Sequence, residues 1–139
     1  MLSEMQVFNA VRRHLHEIAA DVLQLVAPGG QAPLGLTFNK SSSRRTVFPD
    51  LLAVKGNFII VGEMKPRYSK VDHVKLLEIK DCASDQVFAL IERRRVDLQD
   101  PKILILLCHS QVASGRHEDV GQWIFDEELR AVRIEGMPF

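Results

Sequence analysis

Residues 102–109, Lys-Ile-Leu-Ile-Leu-Leu-Cys-His, constrain the fold more than any other stretch. Ile103 to Leu107 are apolar without a break, so both faces of an extended chain are apolar here. Such a strand is stable in the middle of a sheet that is covered on both faces. Helices laid on the two sides of a sheet are the simplest cover. With 139 residues the chain is long enough for one domain with a real core, unaided by disulfides or metal.

The helices and partner strands are legible from periodicity. Residues 3 to about 26 read as a helix: Ser3 and Gln6 form a capping-box pair, and Phe8, Val11, Leu15, Ile18, Ala19, Val22 and Val26 fall on one stripe. Residues 33–39 alternate weakly and read as a first strand. Residues 40–45 read as a polar connection. Residues 47–54 and 58–65 then read as two strands joined by a Gly56-Asn57 turn. A second helix is expected from about 71–75 to 95, followed by the 102–109 strand, a loop containing Ser114, Gly115 and His117, and a final strand or hairpin at 123–125 and 129–134. The expected class is α/β, one domain over 1–139, with a core at about 3–109 and an extension at 110–139.

Several function classes drop out. Cys82 and Cys108 have no metal or disulfide-framework spacing and read as buried small side chains in a reducing compartment. The five histidines lack HxH or HExxH spacing, and His73 reads as a surface residue. No phosphate-loop or dinucleotide motif occurs. No signal peptide or membrane span is evident, so an intracellular, soluble protein without a membrane partner is expected. The formal net charge is zero, which argues against binding by bulk charge, yet residues 40–80 carry a net +5 against −1 before them and −4 after.

That basic segment contains the chemistry. Pro49-Asp50 on one expected strand and Glu63-Met64-Lys65 on the next match the pattern PD…(D/E)xK. A two-residue loop at Gly56-Asn57 pairs Lys55 with Phe58, and the same register sets Asp50 opposite Glu63. Opposed residues share a face at a Cβ separation of ~4.5–5.5 Å. Lys65, two residues on, returns to that face. Two carboxylates this close need positive charge between them. A hard divalent cation with oxygen ligands fits, Mg²⁺ beside a phosphate above all, with Mn²⁺ expected to substitute; the Met64 backbone carbonyl can add an oxygen. Such a centre polarises a phosphate and acidifies a bound water. Lys65 would orient or deprotonate that water, or neutralise developing charge. The plainer alternative is an ion pair of Lys65 with Asp50 or Glu63 on an exposed sheet face.

The stretch Arg45-Thr-Val-Phe-Pro-Asp-Leu-Leu-Ala-Val-Lys-Gly-Asn-Phe-Ile-Ile-Val-Gly-Glu-Met-Lys65 resembles the PD-(D/E)xK nuclease superfamily, and within it small archaeal Holliday-junction resolvases and VRR-type nuclease domains. The resemblance implies a restriction-endonuclease-like α-β-β-β-α-β core, a central mixed sheet flanked by helices. It implies Mg²⁺-dependent endonuclease cleavage of DNA, structured or branched DNA included, with Asp50 and Glu63 as ligands and Lys65 catalytic. It also implies a carboxylate from the first helix. Relative to Phe8, Glu4 lies at about −40° and Glu17 at about 180°, so Glu4 is the candidate. A glutamine on the second helix is a further implied site residue, and Gln86 occupies the flank of that helix's apolar stripe.

Arg44, Arg45 and Ser43 before the Pro-Asp strand, and Arg67 and Lys70 after the second strand, flank the same place and are expected to contact phosphate. Tyr68 is a lone candidate for base stacking. Two other functions share the motif: an RNA endonuclease of cap-snatching type, and a silent nuclease fold that only binds nucleic acid. A chain this short leaves little room for a recognition domain, so a homodimer placing one site on each strand is the expected assembly.

Overall fold

The structure, a computed structural model, describes residues 1–95, 97–111 and 115–139. Ser114 of the expected loop lies outside the described residues. The elements in chain order are α1 (Glu4–Glu17), β1 (Asp21–Leu25), β2 (Leu36–Lys40), β3 (Ser43–Val47), β4 (Leu51–Lys55), β5 (Phe58–Met64), α2 (Lys70–Cys82), α3 (Ser84–Glu92), β6 (Lys102–His109), β7 (Gly121–Phe125) and β8 (Ala131–Glu135). Six strands form one mixed sheet in the order β1-β4-β5-β6-β7-β8, and β2 and β3 form a separate ribbon. The 102–109 strand runs parallel to β5 on one side and β7 on the other. That is the central position its unbroken apolar run requires.

Both faces of the sheet are covered. Leu52, Val54, Ile59, Val61, Ile105 and Leu107 point to the face packed by α2, α3 and the β2–β3 ribbon. Leu51, Ala53, Ile60, Met64, Leu106 and Cys108 point to the opposite face, against Val7, Ala10, Val11 and Leu15 of α1. The side-chain period of two sorts each strand's residues between these two layers. Among the described residues no helix is long and apolar enough to cross a membrane.

The structure corrects four expected boundaries. The first helix ends at Glu17, not near Val26. Ala19 adopts φ 57°, its N–H bonds His16 O at 3.0 Å, and the Ala20 N–H bonds Leu15 O at 2.9 Å. This is a Schellman closure with alanine in the left-handed position that glycine usually takes. The freed segment, rich in Val and Leu, becomes strand β1 on the edge of β4. The 40–45 connection is half strand: Ser41 and Ser42, at φ 49° and 69°, form a two-residue turn that brings β3 back along β2. The 47–54 strand is two pieces, because Phe48-Pro49-Asp50 leaves the ribbon and enters the main sheet. The second helix breaks at Ala83 into α2 and α3. Cys108 is buried as expected, whereas Cys82 is exposed.

Candidate functional site

The site is built by the β4–β5 hairpin. Gly56, at φ 59°, turns the chain, and Lys55 pairs with Phe58, Val54 with Ile59, and so on to Leu51 with Gly62. One step further the same register faces Asp50 toward Glu63. The Asp50 N–H donates to Glu63 Oε2 at 2.7 Å, and the Met64 N–H donates to Asp50 Oδ2 at 3.1 Å. Each carboxylate therefore holds the strand that carries the other. The segment is fixed from behind as well. Val26 N–H donates to the Asp50 carbonyl at 2.9 Å, and the buried Gln24 amide donates to the Pro49 carbonyl at 2.7 Å.

Three more elements bring charge to this point. Lys65 extends the β5–β6 ladder by one residue, its N–H donating to Cys108 O at 3.0 Å. Beyond the sheet's end, its ammonium stands 3.7 Å from Glu4 of α1 and 4.0 Å from Asp72 of α2. Lys75, one turn further along α2, contacts the Glu63 carboxylate and donates to the Phe48 carbonyl at 3.1 Å. Glu4, Asp50, Glu63, Asp72, Lys65 and Lys75 thus form one cluster of four carboxylates and two ammonium groups. With all six ionised it carries two uncompensated negative charges.

The cluster's environment shifts its protonation. Glu63 is 2% exposed. Burial and the Asp50 charge push its carboxyl up to about 8, against the pull of Lys75 and the Asp50 amide. Burial likewise raises Asp72, opposed by Lys65 and Lys75, and its Oδ2 has no hydrogen-bond partner among the described residues. Burial pulls the Lys65 ammonium down, but Asp72, Glu4, Asp50 and Glu63 together hold it above its ordinary value. Lys65 is therefore a cation at neutral pH.

The donor set is all oxygen and, once every carboxyl is ionised, short of two positive charges, which is the chemistry a hard divalent cation satisfies. Among the described residues, however, no three His, Cys, Asp or Glu already converge around one point. Lys75 already contacts the Glu63 carboxylate, so a cation bound by Glu63 would have to displace that ammonium.

The remaining expected site residues divide. Gln86 is not in the cluster. Its Oε1 accepts the Thr37 N–H at 2.6 Å and so ties α3 to β2. Arg45 grips Glu78 of α2 with both carboxylate oxygens, one at 2.9 Å, and Lys40 joins it at 2.7 Å. Arg44 and Ser43 are exposed on β3. Arg67 and Lys70 are exposed beside Lys65, with Arg67 Nε 3.1 Å from Met1 Sδ.

His73 is buried, not on the surface. Its ring bridges the Tyr68 hydroxyl, at 2.6 Å, and Asp119, at 2.8 Å. Tyr68 stacks on His117 at 4.5 Å, so one face of its ring is already occupied.

Asp72, Lys75 and Gln24 are the site residues the sequence reading misses. The one signal for the first two is their spacing of three on a helix within the basic segment. No known family model matches the chain, and no curated protein is significantly similar to it.

Proposed function

We propose that this protein is a Mg²⁺-dependent endonuclease that hydrolyses phosphodiester bonds in DNA. The observation that carries the reading is the interlock of Asp50 and Glu63 through each other's strands, with the Lys65 ammonium held beside them by Glu4 and Asp72. The order of elements supports it. With the β2–β3 ribbon set aside and α2 and α3 taken together as one broken helix, α1, β1, β4, β5, α2–α3 and β6 follow one another as α-β-β-β-α-β. We read this as the restriction-endonuclease-like core, with β1 taking the place expected for residues 33–39.

In this reading Asp50 and Glu63 hold the cation, which when bound polarises a phosphate oxygen and acidifies a water. The chain's own groups do the rest. Lys65 is held protonated, so it acts as a cation: it faces the charge that builds on the phosphorus oxygens and orients the attacking water, and it is not the base. Glu4 and Asp72 position that ammonium from two sides. Lys75 lies against the Glu63 carboxyl and would have to give way to a cation held there.

The test is cleavage of plasmid, four-way junction, single-stranded DNA and RNA by the full chain with Mg²⁺ or Mn²⁺, beside Asp50→Asn. Metal-dependent DNA cleavage that chelator and Asp50→Asn both abolish is the expected result. Cleavage of none of these substrates with either metal refutes the activity, and cleavage of RNA alone refutes the DNA assignment.

A further inference from the structure

The β2–β3 ribbon stands outside the main sheet, immediately before the Pro49-Asp50 segment. Its pairing, Leu36 with Val47 through Lys40 with Ser43, fixes which side chains share a face. The inner face is committed at every position but the exposed Ser43. Leu36, Phe38 and Val47 enter the core, and Lys40 and Arg45 close on Glu78. The outer face is Thr37, Asn39, Arg44 and Thr46, and it is not committed. The two threonine hydroxyls bond each other at 2.9 Å. Asn39 and Arg44 are exposed opposite one another, and Arg44 has no ion pair among the described residues.

Two features say what this face meets. Residues 36–49 hold no acidic residue, and with Lys40 and Arg45 paired to Glu78 the exposed Arg44 is the ribbon's one cation without an ion pair among the described residues, so the outer face offers a polyanion a single positive contact. Yet the open groove between the ribbon and the helices, lined by Thr37, Phe38, Asn39 and Arg44, is completed by Cys82 at the end of α2 and by Asp85 and Gln86 of α3. A carboxylate there repels phosphate. A mixed row of Arg, Asn, Thr, Gln and Asp matches the donors and acceptors of base edges instead. A two-stranded ribbon is also one of the two elements that the ~12 Å major groove of B-DNA admits.

We infer that the β2–β3 ribbon reads base edges in the major groove of duplex DNA through Asn39 and Arg44. The inference rests on the nuclease reading for the position of the cut, not for the binding itself. Five residues lie between Arg44 and Asp50, so the backbone at the two positions is at most about 22 Å apart. At ~3.4 Å per base pair, the bases read lie within about six pairs of the cleaved bond.

The experiment selects binding sequences from a random duplex pool with the full chain carrying Asp50→Asn, then compares Arg44→Ala and Arg44→Lys in that background. A short preferred sequence is expected. Arg44→Ala is expected to weaken binding to it by about 5- to 150-fold, the range of one bidentate base contact. Arg44→Lys should keep salt-dependent affinity for duplex DNA and lose the preference, because lysine lacks the planar fork. Duplex RNA, whose major groove is too deep and narrow for a ribbon, should not show the Arg44 effect.

Equal binding of all duplex sequences, full recovery of preference by Arg44→Lys, or no duplex binding at all overturns the inference. Sequence-selective binding by a chain whose unsubstituted form cleaves nothing refutes the nuclease reading and supports the ribbon. Cleavage without sequence preference refutes the ribbon alone.

Discussion

Glu63→Gln separates the two forces acting on the most buried carboxyl in the cluster. Burial and Asp50 favour its neutral form, while Lys75 and the Asp50 amide favour the charged one, and the balance lies at about 8 against an ordinary 4.5. The folded-state value is raised, so between these two values the folded protein keeps a proton that the unfolded chain releases. Stability from this group is full at low pH and is lost as pH rises through that window. Between pH 5 and pH 9 the loss amounts to about 4 kcal/mol, at about 1.4 kcal/mol per unit. Glutamine cannot ionise and still offers an oxygen to the Asp50 N–H.

The variant should therefore match the parent within about 1 kcal/mol at pH 5, where both side chains are neutral. At pH 9 it should gain about 4 kcal/mol on the parent. Urea unfolding in the presence of chelator measures the difference, and Trp123 is a fully buried reporter. A saturating divalent cation at pH 9 should stabilise the parent and not the variant. A difference that stays constant from pH 5 to pH 9 would refute the reasoning, since it would mean that Lys75 keeps Glu63 ionised throughout.

Two further outcomes follow from the geometry. Lys65→Arg should retain a measurable part of the cleavage rate while Lys65→Met loses about 10²-fold or more, because the lysine acts as a cation; equal loss in both would make it a proton acceptor. Ala19→Gly should raise the melting temperature, because it relieves a left-handed alanine worth about 1 kcal/mol, and a lowered melting temperature would contradict the cap assignment.

What the sequence discloses is what is local. The hairpin at Gly56-Asn57 fixes its register within two residues, and alternation carries that register outward to Asp50 and Glu63. The apolar run at 103–107 needs only its own composition to be placed at the centre. The end of α1 is hidden, because alanine is the strongest helix former and nothing local marks Ala19 as the residue that closes the helix. Strand β3 is hidden for the converse reason. Ser43-Arg44-Arg45-Thr46 is polar on both faces, and it is extended because β2 and Glu78 receive it, from residues distant in the chain. Gln86 illustrates the limit of periodicity: its angle places it only on the flank of the apolar stripe, the site role comes from the resemblance, and the structure sets it on α3 against Thr37.

The same structure alters what the +5 segment can do. Lys75 is spent on Glu63, Lys65 on Glu4 and Asp72, and Lys40 and Arg45 on Glu78. Among the described residues, Arg44, Lys55, Arg67, Lys70 and Lys80 remain without an ion pair. Lys55 lies at the hairpin turn, at the opposite end of β4 from Asp50, so it cannot serve the cluster. Arg67 and Lys70 flank Lys65, and Arg44 lies on the ribbon ahead of Asp50. Such a surface attracts a polyanion only weakly at long range, since exposed charges are screened beyond ~10 Å. In the proposed reading, discrimination then comes from a few contacts in fixed positions, Arg67 and Lys70 meeting backbone phosphate on one side of the cluster and the ribbon meeting base edges on the other. Zero net charge is compatible with the proposed action on DNA, because Lys40, Arg45, Lys65 and Lys75 are balanced by carboxylates of the fold while, among the described residues, Arg44, Arg67 and Lys70 keep their charge uncompensated near the cluster.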